Sequence, residues 1–322
     1  MEYTLQQIAD RIKQAKRVVI VGHMRPDGDA FGSALALSCA LKKLNISTQV
    51  CVESEIPSNL TFVEGIESVK KQPTEEYDLF VAVDCSEDHR LGTLQEEFFL
   101  AKRKRIDTVN VDHHISNTRF AKYNYVRGCA ANCMNIATLI KCLGVELDKQ
   151  IAGYLLLGLL TDSGNFSHDD VDEEAFLLAA ELVKAGADVC YLNYHLFKKQ
   201  PKARAALFGK VMSGIRYYHD NRFAVAVIEK SVMEAFGADM GMTEGFVDFP
   251  LNVDTVEVAA TLLETKKGQY KISLRSKTYA DVNKIAGCYG GGGHVRAAGC
   301  MLFGDVEDIL DRLSYTVSQY LE

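Results

Sequence analysis

The sequence predicts an α/β protein, with a doubly wound, mostly parallel sheet in its N-terminal part and a smaller α/β domain after it. Three observations lead there. In the first half, short apolar runs alternate with stretches of helical length, as in βαβ units whose sheet is covered on both faces. The main apolar runs stop at clusters of Asp and His, and in such sheets ligands bind outside the carboxyl ends of the strands. The alternation then breaks over 188–207, "DVCYLNYHLFKKQPKARAAL", which reads as a partly helical, locally basic linker. The expected division is therefore a first domain over 1–187, a linker over 188–207 and a second domain over 208–322.

Each element has a local reason. "MEYTLQQIADRIKQAKR" at the N-terminus places apolar residues at helical spacing and lacks the apolar core of a signal peptide. "RVVIVG" (17–22) is a buried strand, followed by the helix "AFGSALALSCALKKLN" and the strand "STQVCVES". "DLFVAVDC" (78–85) and "TVNVDHH" (108–114) are apolar runs that end in polar residues. "CMNIATLIKCLG", "IAGYLLLGLLTDSG" and "DEEAFLLAAELVKAG" read as helices, the second as a core helix because it is too short to span a bilayer. After the linker, "RFAVAVIE", "VEVAATLLET" and "QYKISLRS" are strands, with "KKG" (266–268) turning a hairpin between the last two. A helix over "DVEDILDRLSYTVSQYLE" ends the chain.

Composition narrows the function. The 322 residues carry a formal charge of -7, which argues against gripping long nucleic acid by phosphate neutralisation. Nine scattered cysteines form no C-x-x-C pair, so neither a disulfide framework nor a zinc knuckle is expected, and a cytoplasmic location is. No membrane association is expected either.

Four clusters carry chemistry: His23, Asp27 and Asp29 in "HMRPDGDAFG"; Asp84 closing "FVAVD"; Asp112, His113 and His114 in "DHHISN"; and Asp162 in "TDSGNF". Each alone reads equally well as a turn or a helix cap. Together they gather carboxylates at one sheet edge, which is unfavourable unless cations offset them. Mixed imidazole and carboxylate ligation suits Mn²⁺ or another borderline metal better than Ca²⁺, which prefers an all-oxygen cage. Two such ions would activate a water for attack on phosphorus.

These motifs, in this order, resemble those of the DHH phosphoesterase superfamily. "GGGGHVRAAG" (290–299) is similar to the signature of its C-terminal DHHA1 domain, and "TEGFVDFPLNV" and "KISLRSK" look like the nano-RNase/pAp phosphatase branch. The resemblance implies that His23, Asp27 and Asp84 hold one divalent ion, and Asp29, Asp84, His113 and Asp162 a second. Mn²⁺ is expected, with Mg²⁺ or Co²⁺ as alternatives. It further implies that Asp112 and Asn117 orient the imidazoles and that His114 contacts the scissile phosphate. Gly291, Gly292, Gly293 and His294, with Arg275 and Ser276, would grip a substrate phosphate, and Arg296 is a further candidate.

The implied activity is hydrolysis of short single-stranded oligoribonucleotides, such as pApA, to 5′-mononucleotides, with pAp as a further substrate and no long duplex. A cyclic-di-AMP or linear dinucleotide phosphodiesterase, and a nucleotide-binding regulator without turnover, remain as alternatives. So does a homodimer.

Overall fold

A computed structural model describes residues 3–321. Met1, Glu2 and Glu322, at the outer ends of the first and last predicted helices, lie outside the described residues. The chain forms two compact units, residues 1–199 and 200–322.

The first unit runs α1 (Leu5–Lys13), β1 (Arg17–Val21), α2 (Gly28–Lys43), β2 (Ser47–Cys51), β3 (Leu79–Val83) and α3 (Leu94–Arg103). It continues with β4 (Asp107–Asp112), β5 (Tyr123–Val126), α4 (Asn132–Cys142), α5 (Lys149–Asp162), α6 (Glu173–Lys184) and α7 (Val189–Asn193). Its five strands are all parallel, in the order β2-β1-β3-β4-β5. The pleat sends alternate residues of each strand to opposite faces. Val18, Ile20, Leu79, Val81, Val109 and Val111 enter a core with α1, α2, α4 and α5. Val19, Val21, Phe80 and Ala82 enter a second core with Leu94, Phe98 and Ala101 of α3. Burial on both sides is why these strands read as unbroken apolar runs.

Close packing of α5 on α2 depends on glycine. A Cβ on Gly32 would lie 2.4 Å from the Tyr154 carbonyl oxygen, and one on Gly158 would lie 2.2 Å from Cys133 Sγ and 2.5 Å from Asp29 Oδ1. A Cβ on Gly28 would lie 2.5 Å from the Thr161 side chain. These contacts run α5 alongside α2 so that its last residue, Asp162, ends beside the first turn of α2.

The second unit contains α8 (Lys202–Met212), β6 (Arg216–Tyr218), β7 (Phe223–Ile228), α9 (Lys230–Phe236), β8 (Val258–Lys266) and β9 (Gln269–Ser276). It ends with α10 (Val282–Gly287), β10 (Gly292–His294), β11 (Ala297–Phe303) and α11 (Val306–Ser318). Its mixed six-stranded sheet has the order β10-β11-β9-β8-β7-β6, with only β7 and β8 parallel. The β8–β9 hairpin turns at Lys267 and Gly268, whose φ of +69° suits glycine. The glycine run folds into the β10–β11 hairpin. Substituting its glycines would be costly: a Cβ on Gly291 would lie 2.2 Å from the Gly299 carbonyl oxygen, and one on Gly293 would lie 2.4 Å from that of Ala297.

Two glycines of α5 separate close packing from mere helix propensity. Gly158→Ala should destabilise the protein by about 1–3 kcal/mol through overpacking. Gly153→Ala, with no heavy atom within 4 Å of the new Cβ, should stabilise it by about 0.5–1 kcal/mol. Urea unfolding of the two variants measures both, and equal midpoints would contradict the tight α2–α5 crossing.

Candidate metal centre and its surroundings

The sheet order places the site. β1, β3 and β4 are neighbours, and their carboxyl ends lead directly into His23, Asp84 and Asp112–His114. The strand order reverses between β1 and β3, the switch point where a crevice opens in such sheets. His23 and Asp84 face each other across it, with Nε2 3.4 Å from Oδ2.

Asp84 is the middle of the cluster. Its side chain is 3% exposed. Its backbone is left-handed, with φ +54°, and its N–H donates to the Val111 carbonyl at 3.0 Å. The carboxylate divides its oxygens: Oδ2 faces His23, while Oδ1 lies 3.4 Å from His113 Nε2. Oδ1 is buried and has no hydrogen-bond partner. Asp162 Oδ2 lies 3.3 Å from the same His113 nitrogen, and Asp27 Oδ1 lies 3.9 Å from His23 Nε2.

The backbone fixes which imidazole nitrogen faces this cluster. His23 Nδ1 is 2.8 Å from the Met24 carbonyl oxygen and His113 Nδ1 is 2.8 Å from that of Cys129. A carbonyl only accepts, so each Nδ1 carries a proton, and in the neutral ring the Nε2 lone pair faces carboxylate oxygens. Lone pair against carboxylate is repulsive unless a cation lies between them, and this is the arrangement that metal-ligating histidines use. His114 is built differently. Its Nδ1 donates to Asp112 Oδ1 at 2.8 Å, and the ring stays 31% exposed.

Asp29 is fully buried and held by another helix. Its carboxylate accepts from the Asn132 and Cys133 backbone N–H groups at 2.5 and 2.9 Å, and from Ser33 Oγ at 3.4 Å. It thus caps the amino end of α4, whose own N-cap residue, Ala131, offers no side-chain bond. Asp27 caps α2 through Oδ1, accepting from the Asp29 and Ala30 N–H groups at 3.0 and 3.1 Å. Three groups among the described residues could hold a metal ion: His23, Asp27 and Asp84; Asp29, His113 and Asp162; and Asp84, His113 and His114. The third is the weakest, because its His114 atom is engaged by Asp112.

Charge crowding leaves its mark on proton affinity. Burial would lower His23 and His113, but Asp84 overrides it and raises them to about 8 and about 10. Burial would raise Asp84, yet His113 and His23 hold it down to about 2. Burial, reinforced by Asp84, raises Asp162 to about 6 and lifts Asp29 well above the usual carboxylate range. The metal-free site therefore substitutes protons for cations.

Several contributors escape a reading of the sequence. Thr108, Asn110 and Asp112 alternate with Val109 and Val111, so β4 carries a polar stripe on one face; "TVNVD" contains this signal as a period of two. Asn110 Oδ1 accepts from Asn117 Nδ2 at 2.9 Å, and Asn117 Nδ2 donates to Asp112 Oδ2 at 2.7 Å. Asn135 Nδ2 donates to the Asp112 carbonyl at 3.2 Å. His168 Nδ1 lies 2.8 Å from the Asp162 carbonyl oxygen. After Asp162, three successive residues, Gly164, Asn165 and Phe166, have φ of +55°, +56° and +63°. Ser163 holds that turn by accepting the Phe166 N–H at 3.0 Å.

In the second unit, His294 pairs with Ala297 and Ala297 with Arg275. Directly opposed residues share a face, so His294 and Arg275 flank one small side chain. Arg275 Nε lies 3.4 Å from Asp248 Oδ1. Gly291 to Gly293 lead into and form β10, which ends at His294. Ser276 is buried, with its hydroxyl donating to the Ala280 carbonyl at 2.6 Å. Arg296 is committed to structure, donating to the Ala280 carbonyl at 2.9 Å and to the Thr278 carbonyl. Glu257 holds the same loop, accepting from the Thr278, Tyr279 and Ala280 N–H groups.

Residues 17–159 match the DHH family, N-terminal domain, and residues 220–321 match the DHHA1 domain. The chain is 32% identical over 313 residues to the bifunctional oligoribonuclease and PAP phosphatase NrnA of Thermus thermophilus, covering 94% of this chain and 90% of that one. This chain belongs to the DHH phosphoesterase family, with a DHHA1 domain. Members of this family are metal-dependent hydrolases, and the chain is an enzyme of that kind. A probable bifunctional oligoribonuclease and PAP phosphatase of Streptococcus mutans is 27% identical, covering 95% of this chain and 96% of that one. In fold it matches an exopolyphosphatase-related protein of Bacteroides fragilis, with a TM-score of 0.81 at 24% identity over 98% of this chain and 96% of that one. No helix among the described residues is long and apolar enough to cross a membrane.

Metal loading of this site must displace protons. Because His23 and His113 are raised to about 8 and about 10 and Asp29 stands well above the usual carboxylate range, binding of a divalent ion such as Mn²⁺ at pH 7 should release protons, and affinity should climb as pH rises through about 8 and on toward about 10. Calorimetry in buffers of different ionisation enthalpy measures the release. Heats that are independent of buffer would contradict the protonated state.

Proposed function

We propose that this enzyme hydrolyses very short oligoribonucleotides to 5′-mononucleotides and also removes the 3′-phosphate of pAp. The observation that carries the proposal is Asp84, a buried carboxylate whose two oxygens address two imidazoles on opposite sides. His23, Asp27 and Asp84 would hold one divalent ion, and Asp29, Asp84, His113 and Asp162 the other; the mixed donors suit Mn²⁺ or another borderline ion such as Co²⁺ better than a hard, all-oxygen-preferring ion. When bound, the ions supply an activated water and offset the charge of the phosphate.

The protein's own groups divide the remaining work. His114, with Nδ1 anchored on Asp112, has a partly exposed ring; as an imidazolium its Nε2 would donate to a phosphate oxygen and stabilise the leaving 3′-oxygen. Asp112, itself held by Asn117 and buried, fixes that ring without free rotation. Arg275 and His294, in one row of the second sheet, suit recognition of a phosphate by a guanidinium and an imidazole. The relatives named as oligoribonuclease and PAP phosphatase support the substrate class. A net charge of -7 fits a substrate with few phosphates rather than a long polyanion.

A Mn²⁺-supplemented rate panel of pApA, long oligoribonucleotides, pAp, cyclic-di-AMP and pyrophosphate tests this. Dinucleotides should be cut fastest and pAp dephosphorylated. Faster cleavage of the long chains, or of cyclic-di-AMP, would overturn the assignment. Asp84→Ala should lower kcat by more than about 100-fold, beyond what loss of an outer hydrogen-bonding partner costs. Arg275→Ala should chiefly raise KM.

A further inference from the structure

Asn110 occupies a position where an apolar residue would fold more easily. It sits inside β4 with no exposure, between Val109 and Val111 and opposite Ala82 and Asn124 of the adjacent strands, and asparagine is disfavoured in strands. A buried amide left without hydrogen bonds is destabilising, so every polar atom of this side chain needs a partner.

The partners it has belong to two different parts of the site. Nδ2 donates to the Cys85 carbonyl at 3.1 Å and to the Ala82 carbonyl at 3.4 Å. Oδ1 accepts from Asn117 Nδ2. Asn117 Nδ2 approaches three acceptors: Asp112 Oδ2 at 2.7 Å, Asn110 Oδ1 at 2.9 Å and the Cys85 carbonyl at 3.2 Å. An amide nitrogen has only two protons. The two shorter contacts take them, so the Cys85 carbonyl depends chiefly on Asn110. That carbonyl follows directly on Asp84, whose left-handed backbone is the strained point of β3's end. Asn110 thus joins the turn that presents Asp84 to the line Asn117–Asp112–His114.

We infer that Asn110 is a positioning residue, setting the spacing between the shared carboxylate of Asp84 and the Asp112–His114 pair. It touches neither metal ligand side chains nor substrate and acts through Cys85 and Asn117. The kinetic part of the inference rests on the function proposed above; the structural part does not.

Asn110→Leu keeps the size and removes all three bonds. It should lower kcat by about 10–100-fold, the usual effect of losing a ligand-orienting partner, with KM nearly unchanged. The Mn²⁺ affinity of the metal-free protein should fall as well, while its Tm stays level or rises. In the Asn117→Ala background, Asn110→Leu should cost less than it does alone, because the bond between the two amides is already gone. Unchanged kcat and Mn²⁺ affinity, or losses that multiply in the double variant, would overturn the inference. So would a kcat loss that disappears well below a lowered Tm. If the leucine variant does not fold, Asn110→Thr carries the same readouts. Should the wild-type enzyme cleave none of the phosphoesters, the proposed function fails, and the Mn²⁺ titration alone decides the role of Asn110.

Discussion

A buried carboxylate needs compensation, and Asp84 receives it from two imidazoles whose orientation is set elsewhere. One oxygen faces His23 across the switch point of the sheet and the other faces His113. Neither ring can turn away, because each Nδ1 is tied to a backbone carbonyl. The sheet order, the left-handed residue at the end of β3 and the positions of the flanking loops all meet at this carboxylate. Around it lie Asp27, Asp29 and Asp162, whose mutual repulsion is tolerable only with positive charge among them.

Helices bring the remaining carboxylates to that point by unlike means. Asp27 and Asp29 arrive on the first turn of α2, one as its cap and the other against the first turn of α4. Asp162 arrives on the last turn of α5, held close to α2 because glycines stand where any side chain would collide. The centre is thus assembled by rigid elements on three sides. Such support gives metal sites their precision.

The sequence made the main strands and the candidate ligands legible for one physical reason: strands buried on both faces are uniformly apolar, so the polar residues that end them stand out. β1, β3 and β4 were readable in this way, together with His23, Asp84 and Asp112–His114. β5 was not. It has four residues, and its buried Asn124 bonds back to Ala121, so no apolar run marks it. β10 and β11 were only half legible, because the glycine run reads equally as a phosphate-gripping loop or as a hairpin, and the pairing itself demands its small residues. Asn110 and the backbone amides of Asn132 and Cys133 were also missed. Their partners lie far away in sequence, or their donors belong to the backbone, and neither leaves a pattern in a single chain.

The bond from Asp29 to α4 has a consequence for how this enzyme tolerates change. One carboxylate both faces the metal centre and closes the open end of a core helix that packs on β4, the strand carrying Asp112. Loss of that side chain would uncover two buried amide groups and loosen the helix under the strand. Selection acting on Asp29 therefore cannot separate chemistry from folding. Asp27 also caps its own helix, but its side chain is half exposed, so water could take over the freed N–H groups and its loss would weigh less on folding than the loss of Asp29.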